Sequence, residues 1–385
     1  MLITNAKIIT MTGQDIPCGW VHVVEGKIAA VGEMAQLSFT DPETYDCGGL
    51  TLYPGFIDSH CHMGMWEEGL GFEGDDGNEI TDPITPHLRA IDAINPLNLS
   101  FEEAVDSGVT TVVTGPGSAN PISGQFCAMK TAGRCVDKML MKAPVAMKFA
   151  LGENPKGCYN EKGQQPTTRM ATAALIRETL YKAKRYLDDL TAAQEDGELD
   201  PPDYDAKLEA LVPVLKGELK AHIHCHRADD IFTALRLTKE FGLDAVLVHC
   251  TEGHLIAEEL LEAEAKAICG PLICTRSKPE LQNHTTRTPG ILSRKGMEVA
   301  ICTDYNVVPI EYLPISAGIA VREGMEYNDA LKAITINAAR ICGIDDMVGS
   351  VEPGKDADLL LYSGDPLSLY EKPAMVFIRG QKVKG

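Results

Sequence analysis

An α/β fold is what this sequence predicts, specifically a (β/α)8 TIM-type barrel with a small β-sandwich domain built from both termini. Three observations carry that expectation. Strand-like and helix-like stretches alternate from about residue 54 to residue 346, the signature of βα units. Short alternating strands recur at both chain ends. Several of the middle strands end in a lone His or Asp, the position that this architecture gives to chemistry. The expected domains are therefore residues 1–53 (sandwich, N-terminal part), 54–346 (barrel) and 347–385 (sandwich, C-terminal part).

Taken in order, Leu2–Ile9 alternates, Trp20–Val24 alternates, and Glu25-Gly26 turns the chain into Lys27–Gly32, a hairpin pattern. Ala357–Tyr362 and Met375–Gly380 repeat the type near the other end, and pairing of the two ends hides edges that would otherwise aggregate. Eight barrel strands are expected to end near His60, Gly115, Lys130, Leu151, His226, His249, Cys274 and Asp304, the third being the least distinct. Residues 167–217 are helical and charged, with a Pro201-Pro202 break, and read as an enlarged connection over one side of the barrel.

Composition narrows the function. The 385 residues are 44% hydrophobic and 23% charged, an ordinary globular balance, and 35 Lys plus Arg against 55 Asp plus Glu leave a net charge of −20. Such a surface repels phosphate backbones and anionic lipids, so neither nucleic acid nor a membrane surface is an expected partner. No apolar run reaches the roughly 18 residues of a spanning helix. The first residues lack a secretory signal pattern, and 12 cysteines without a C-x-x-C pair suit reduced thiols, so a cytoplasmic location is expected.

The sharpest motif is Pro54-Gly55-Phe56-Ile57-Asp58-Ser59-His60-Cys61-His62. Residues two apart on a strand share a face, so His60 and His62 point together and make half a metal site. Glu218–His226 places His222, His224 and His226 on one strand face, Ala245–His249 ends in one histidine, and Val299–Asp304 ends in one carboxylate. A single such ending is more often structural. Four on separate strands supply the N and O donors of a divalent metal site.

This pattern resembles the metal-dependent amidohydrolase superfamily over nearly the whole chain. The H-x-H on the first barrel strand, His on the fifth and sixth and Asp on the eighth match it, as do the lead-in Gly48–Gly55 and the exit Val348–Leu359. Within the superfamily the chain is most similar to the imidazolonepropionase-related and Xaa-Pro dipeptidase-related branch. The resemblance implies that His60, His62, His224 and His249 are metal ligands. It also implies that Asp304 is both ligand and general base, with His226 facing the substrate and His222 lying deeper. On the fourth strand two-metal members carry a carboxylated Lys and others a Glu, and Ala146–Asn154 offers both. Lys148, costly to bury charged between Met147 and Phe149, is favoured, with Glu153 as the rival.

Neutral histidines and carboxylates suit Zn²⁺ best, in one or two ions per chain, although Mn²⁺, Fe²⁺ and Ni²⁺ also fit. Arg276 and Lys278 after the seventh strand offer a grip for a substrate carboxylate or a plain basic turn. Tyr159 offers a hydroxyl to a reacting oxygen. Gly115–Pro121 reads as a mobile turn, and Trp66-Glu67-Glu68 with Asp75-Asp76 as a solvated acidic loop. His22, His87, His254 and His284 lack ligand spacing.

The expected activity is hydrolysis of an amide or other C–N bond of a small molecule, with self-association left open. A single-metal deaminase would need a Glu beside the strand-five histidines, and Glu218 comes too early. A non-catalytic binding protein would be expected to have lost ligands.

Overall fold

The computed structural model describes residues 1–67 and 69–385, and its strands form two eight-stranded sheets. The first part of the chain supplies β1 (Leu2–Ile8), β2 (Ile16–Val24), β3 (Lys27–Glu33), β4 (Thr44–Asp46) and β5 (Thr51–Pro54). The barrel strands are β6 (Phe56–Cys61), β7 (Val109–Thr114), β8 (Ile122–Lys130), β9 (Leu140–Ala150), β10 (Lys220–Cys225), β11 (Ala245–His249), β12 (Lys266–Cys269) and β13 (Val299–Ile301). The chain then returns through β14 (Leu359–Tyr362), β15 (Met375–Ile378) and β16 (Gln381–Lys384).

The two ends meet where β14 runs antiparallel to β5, Leu360 opposite Tyr53. The sheet runs β16-β15-β14-β5-β1-β2-β3, with β4 beside β1, so the expected sandwich is one continuously hydrogen-bonded sheet. Strand alternation explains its two apolar faces. Leu359 and Leu361 join Ile3, Ile8, Val21 and Phe377 in the core of this small domain. Leu360 and Tyr362 face the other way, onto Phe56 and Phe101 of the barrel. A strand covered on both sides reads as an unbroken apolar run, as Leu359-Leu360-Leu361-Tyr362 does.

The barrel sheet runs in chain order from β6 to β13. Its ends join through two backbone hydrogen bonds, from Asp304 N–H to His60 O (3.2 Å) and from His62 N–H to Tyr305 O (2.8 Å). One strand departs from the expected all-parallel pattern. β8 is antiparallel to both β7 and β9. The connections at 115–121 and 131–139 are shorter than the dozen or so residues a parallel crossover needs, so the chain reverses instead. The third strand therefore starts at the site end, near Ile122, and Lys130 lies at the opposite end. The seventh strand also stops at Cys269, ahead of Cys274.

The enlarged connection is a helix over Arg169–Glu195, capped by the Thr168 hydroxyl, followed by two short helical turns at 206–209 and 212–215. Its Ile176, Leu180 and Ala183, three or four apart, pack on Leu219, Ala221 and Ile223 of the β10 segment. Among the described residues no helix is long and apolar enough to cross a membrane.

The far end of β8 ties the two domains together. Lys130, almost fully buried, pairs with Asp358 at 2.6 Å and Asp356 at 2.9 Å. Asp356 also meets Lys27 at 2.6 Å, and Asp358 accepts the Arg379 N–H at 2.9 Å. Removing one partner of a buried pair leaves an uncompensated charge. Lys130→Met should therefore lower unfolding stability by about 3–5 kcal/mol. Denaturant midpoints of the two proteins measure this, and an unchanged midpoint would show that the cluster does not hold the domains.

Candidate metal centre

Two groups of donors converge at the mouth of the barrel. His60, His62 and Asp304 form one, and His224, His226 and His249 the other, with the ligand atoms of each group within 4.8 Å of one another. Asp304 Oδ1 stands 3.3 Å from His62 Nε2 and 3.8 Å from His60 Nε2. The rings of His224 and His249 are 4.5 Å apart edge to face, and those of His226 and His249 stack at 4.5 Å. Lys148 is wholly buried, with Nζ 2.9 Å from His60 Nε2.

Glycine carbonyls set the tautomers of two of these histidines. His62 Nδ1–H donates to Gly115 O at 2.6 Å and His249 Nδ1–H to Gly270 O at 2.7 Å. Each ring then directs a free Nε2 lone pair into the site, the arrangement that metal-binding histidines use. Only glycine fits at either place: a Cβ on Gly115 would come within 2.2 Å of the Phe126 ring, and one on Gly270 within 2.3 Å of Cys302 O. His226 Nδ1 is 2.7 Å from the Thr251 hydroxyl, while buried Nδ1 atoms of His60 and His224 have no hydrogen-bond partner among the described residues. His249 and Asp304 both hold left-handed backbone, at φ 72° and 54°. Side-chain-bearing residues tolerate that only where their surroundings enforce it, and such places cluster at functional sites.

Electrostatics favour the uncharged imidazoles that a metal needs. Burial, reinforced by Lys148, holds His60 well below the ordinary imidazole value, and burial takes His249 down to about 4. Burial and the neighbouring His249 likewise hold His224 and His226 well below it. Burial also lowers the Lys148 ammonium to about 8, against the opposing pull of Asp304. For Asp304 burial acts upward, yet His249, His62 and Lys148 outweigh it and keep the carboxyl below its usual value. Behind the ligands, Asp58 accepts the backbone N–H of His60 and the N–H and hydroxyl of Thr303, joining the first strand to the eighth. These residues fit a divalent cation: imidazoles held neutral, two of them oriented by glycine carbonyls, and one carboxylate ionised.

The structure brings His60, His62, Lys148, His224, His226, His249 and Asp304 together, and leaves three other sequence candidates apart. The Glu153 carboxylate accepts the Glu280 backbone N–H at 3.3 Å instead of reaching either donor group. Tyr159 is fully buried and donates to Asn120 Oδ1 at 2.6 Å, outside the cavity, because its helix turns the ring into the interior. Arg276 is exposed and donates to His284 O at 2.8 Å, whereas Lys278 lines the cavity.

Trp66 and Ser118, from loops read as solvated or mobile, also line that cavity of about 230 Å³. Trp66 stands with its ring 4.9 Å from His62. Glu68 lies outside the described residues, and Asp75 and Asp76 are exposed.

Sequence reasoning missed Glu280. Its carboxylate is fully buried, 2.6 Å from Lys278 Nζ and 3.6 Å from His226 Nε2. Burial acts to raise it, but His226 and Lys278 prevail and keep it below the usual carboxylate value. Lys278 also donates to Asn154 Oδ1 at 2.9 Å, and Asn154 Nδ2 to Ser118 Oγ at 2.7 Å, a polar row along the cavity wall. The signal available in the sequence was a Glu two residues beyond Lys278, itself a candidate for gripping substrate.

Comparison with known proteins agrees with this geometry. Residues 51–384 match the amidohydrolase family. An amidohydrolase structure from Thermotoga maritima superposes with a TM-score of 0.95 at 40% identity, covering 99% of each chain. The imidazolonepropionase of Sphingopyxis alaskensis is 24% identical over 95% of this chain and 92% of its own. Amidohydrolase tasK of Hapsidospora irregularis is 29% identical over 98% of this chain, which spans 42% of that longer protein. A Xaa-Pro dipeptidase structure shares the fold at a TM-score of 0.58 and 20% identity, covering 100% of this chain and 99% of its own. The chain belongs to the amidohydrolase family and is a metal-dependent hydrolase acting on C–N bonds.

Proposed function

We propose that the chain hydrolyses an amide or related C–N bond of a small molecule, with His60, His62, Lys148, His224, His249 and Asp304 as metal ligands. The two donor groups at the barrel mouth, with buried Lys148 Nζ 2.9 Å from His60 Nε2, carry this reading. Zn²⁺, as one or two ions, suits the donor set best. When bound, a divalent ion acidifies water and polarises the scissile carbonyl. Asp304, ionised and lining the cavity, takes the proton of the attacking water and returns it to the leaving nitrogen. His226, with Nδ1 held by Thr251, faces the substrate. Lys278, Asn154 and Ser118 orient it along the polar wall, in place of Arg276 and Tyr159.

Lys148 is proposed to be carboxylated. Its neutral amine adds CO2, and the resulting carbamate offers two oxygens between the donor groups. Glu153, turned toward the Glu280 backbone, is the weaker candidate. The size of the cavity supports a small substrate, and the acidic surface supports neither nucleic acid nor membrane as partner. Twelve cysteines, none in a disulfide, support a cytoplasmic location. Similarity to proteins named imidazolonepropionase and Xaa-Pro dipeptidase motivates screening dipeptides, N-acyl amino acids and cyclic amides with metal-loaded enzyme.

Two outcomes test the assignment. Asp304→Asn is nearly isosteric but cannot accept a proton, so kcat should fall by about 10²–10⁴-fold while the protein stays folded. An unchanged kcat would remove Asp304 from the role of base. In metal analysis, Lys148→Ala should lose the second ion per chain and Glu153→Ala should keep it. The reverse result would make Glu153 the ligand.

A further inference from the structure

His222 has no place in the ligand set, yet it is fully buried inside the barrel and neither ring nitrogen has a hydrogen-bond partner among the described residues. Such groups are rare in folded proteins, and each calls for a reason. Its register partner on the neighbouring strand is Lys148. The two side chains flank one aromatic ring: His222 lies 6.0 Å from the Phe126 centroid and Lys148 Nζ 5.4 Å from it. Phe126 also stacks at 5.0 Å on His60, and the His222 ring lies 6.4 Å from that of His60, beside the donor cluster without belonging to it.

Carboxylation leaves a specific unmet need beside it. The neutral Nζ forms a C–N bond to CO2, one C–O π pair becomes a carboxylate lone pair, and one amine proton leaves to solvent buffer. One N–H stays on the carbamate nitrogen. Nζ now lies 2.9 Å from His60 Nε2, but a His60 that ligates metal through that nitrogen has no lone pair left to accept the N–H. Were metal bound by the donor groups, both carbamate oxygens would be taken up as its ligands.

We infer that His222 is a positioning residue for this modification: its unpartnered ring nitrogen accepts the N–H of carboxylated Lys148, leaving both carbamate oxygens free for metal. The inference rests on the proposed carboxylation of Lys148.

The test uses full-length protein loaded with Zn²⁺ and ¹³C-bicarbonate, and reads the carbamate ¹³C resonance and the ions per chain. His222→Leu removes the acceptor, and His222→Gln retains one in a side chain of similar size. The Leu variant should need about tenfold more bicarbonate for a half-maximal carbamate signal, the loss of one buried hydrogen bond. The Gln variant should recover most of the difference. Equal signals in Leu and wild-type protein overturn the role of His222, since a merely structural residue would change thermal stability and not bicarbonate dependence.

Should the Leu variant not fold, ¹⁵N-histidine labelling of the wild-type protein decides the matter. The His222 acceptor nitrogen must shift when bicarbonate is added, and an unmoved resonance overturns the inference. A wild-type protein with no carbamate signal at all overturns the carboxylation of Lys148 itself, a distinguishable failure.

Discussion

The two backbone hydrogen bonds that close the barrel, Asp304 N–H to His60 O and His62 N–H to Tyr305 O, are the constraint on which the site depends. They join the first barrel strand to the eighth at the level where both carry their ligands. Without them the H-x-H pair and the aspartate belong to opposite edges of an open sheet. Asp58 reinforces the seam from behind by accepting from both strands, and burial pushes its carboxyl up to about 7 despite those bonds. The left-handed conformations of Asp304 and His249, a strain of order 1–3 kcal/mol each, persist because the closure and the Gly270 carbonyl over-determine them.

Concentrating so many imidazoles in an apolar barrel is costly unless they remain neutral and their spare nitrogens are used. The molecule meets that demand unevenly. His62 and His249 spend one nitrogen each on a glycine carbonyl, and His226 spends one on Thr251. His60, His222 and His224 keep buried nitrogens that have no hydrogen-bond partner among the described residues. Burial therefore does two things at once: it strips protons from the ligands and leaves lone pairs that only a cation or a new donor can satisfy.

Much of this was legible in the sequence because strand periodicity is local. His60 and His62 share a face by spacing alone, and His249 and Asp304 announce themselves at the ends of apolar strands. The reversal of β8 was legible in principle too, since the segments flanking it are too short for a parallel crossover. The sequence favoured Lys148 over Glu153 on the cost of burying its charge alone, because the path of the chain beyond the strand, which turns Glu153 toward Glu280, is not written in strand periodicity. Arg276, Lys278 and Glu280 depend on loop conformation, and Tyr159 on which way its helix turns, neither of which strand periodicity encodes. In that loop Lys278, rather than Arg276, lines the cavity.

Anomalous X-ray diffraction from crystals of the zinc-loaded protein tests the central claim most directly. The account predicts density for zinc at the barrel mouth, one ion within coordination reach of His60, His62 and Asp304 and a second within reach of His224 and His249, with modified Lys148 between them. Zinc found elsewhere, or an unmodified Lys148 turned away from any ion, would contradict it.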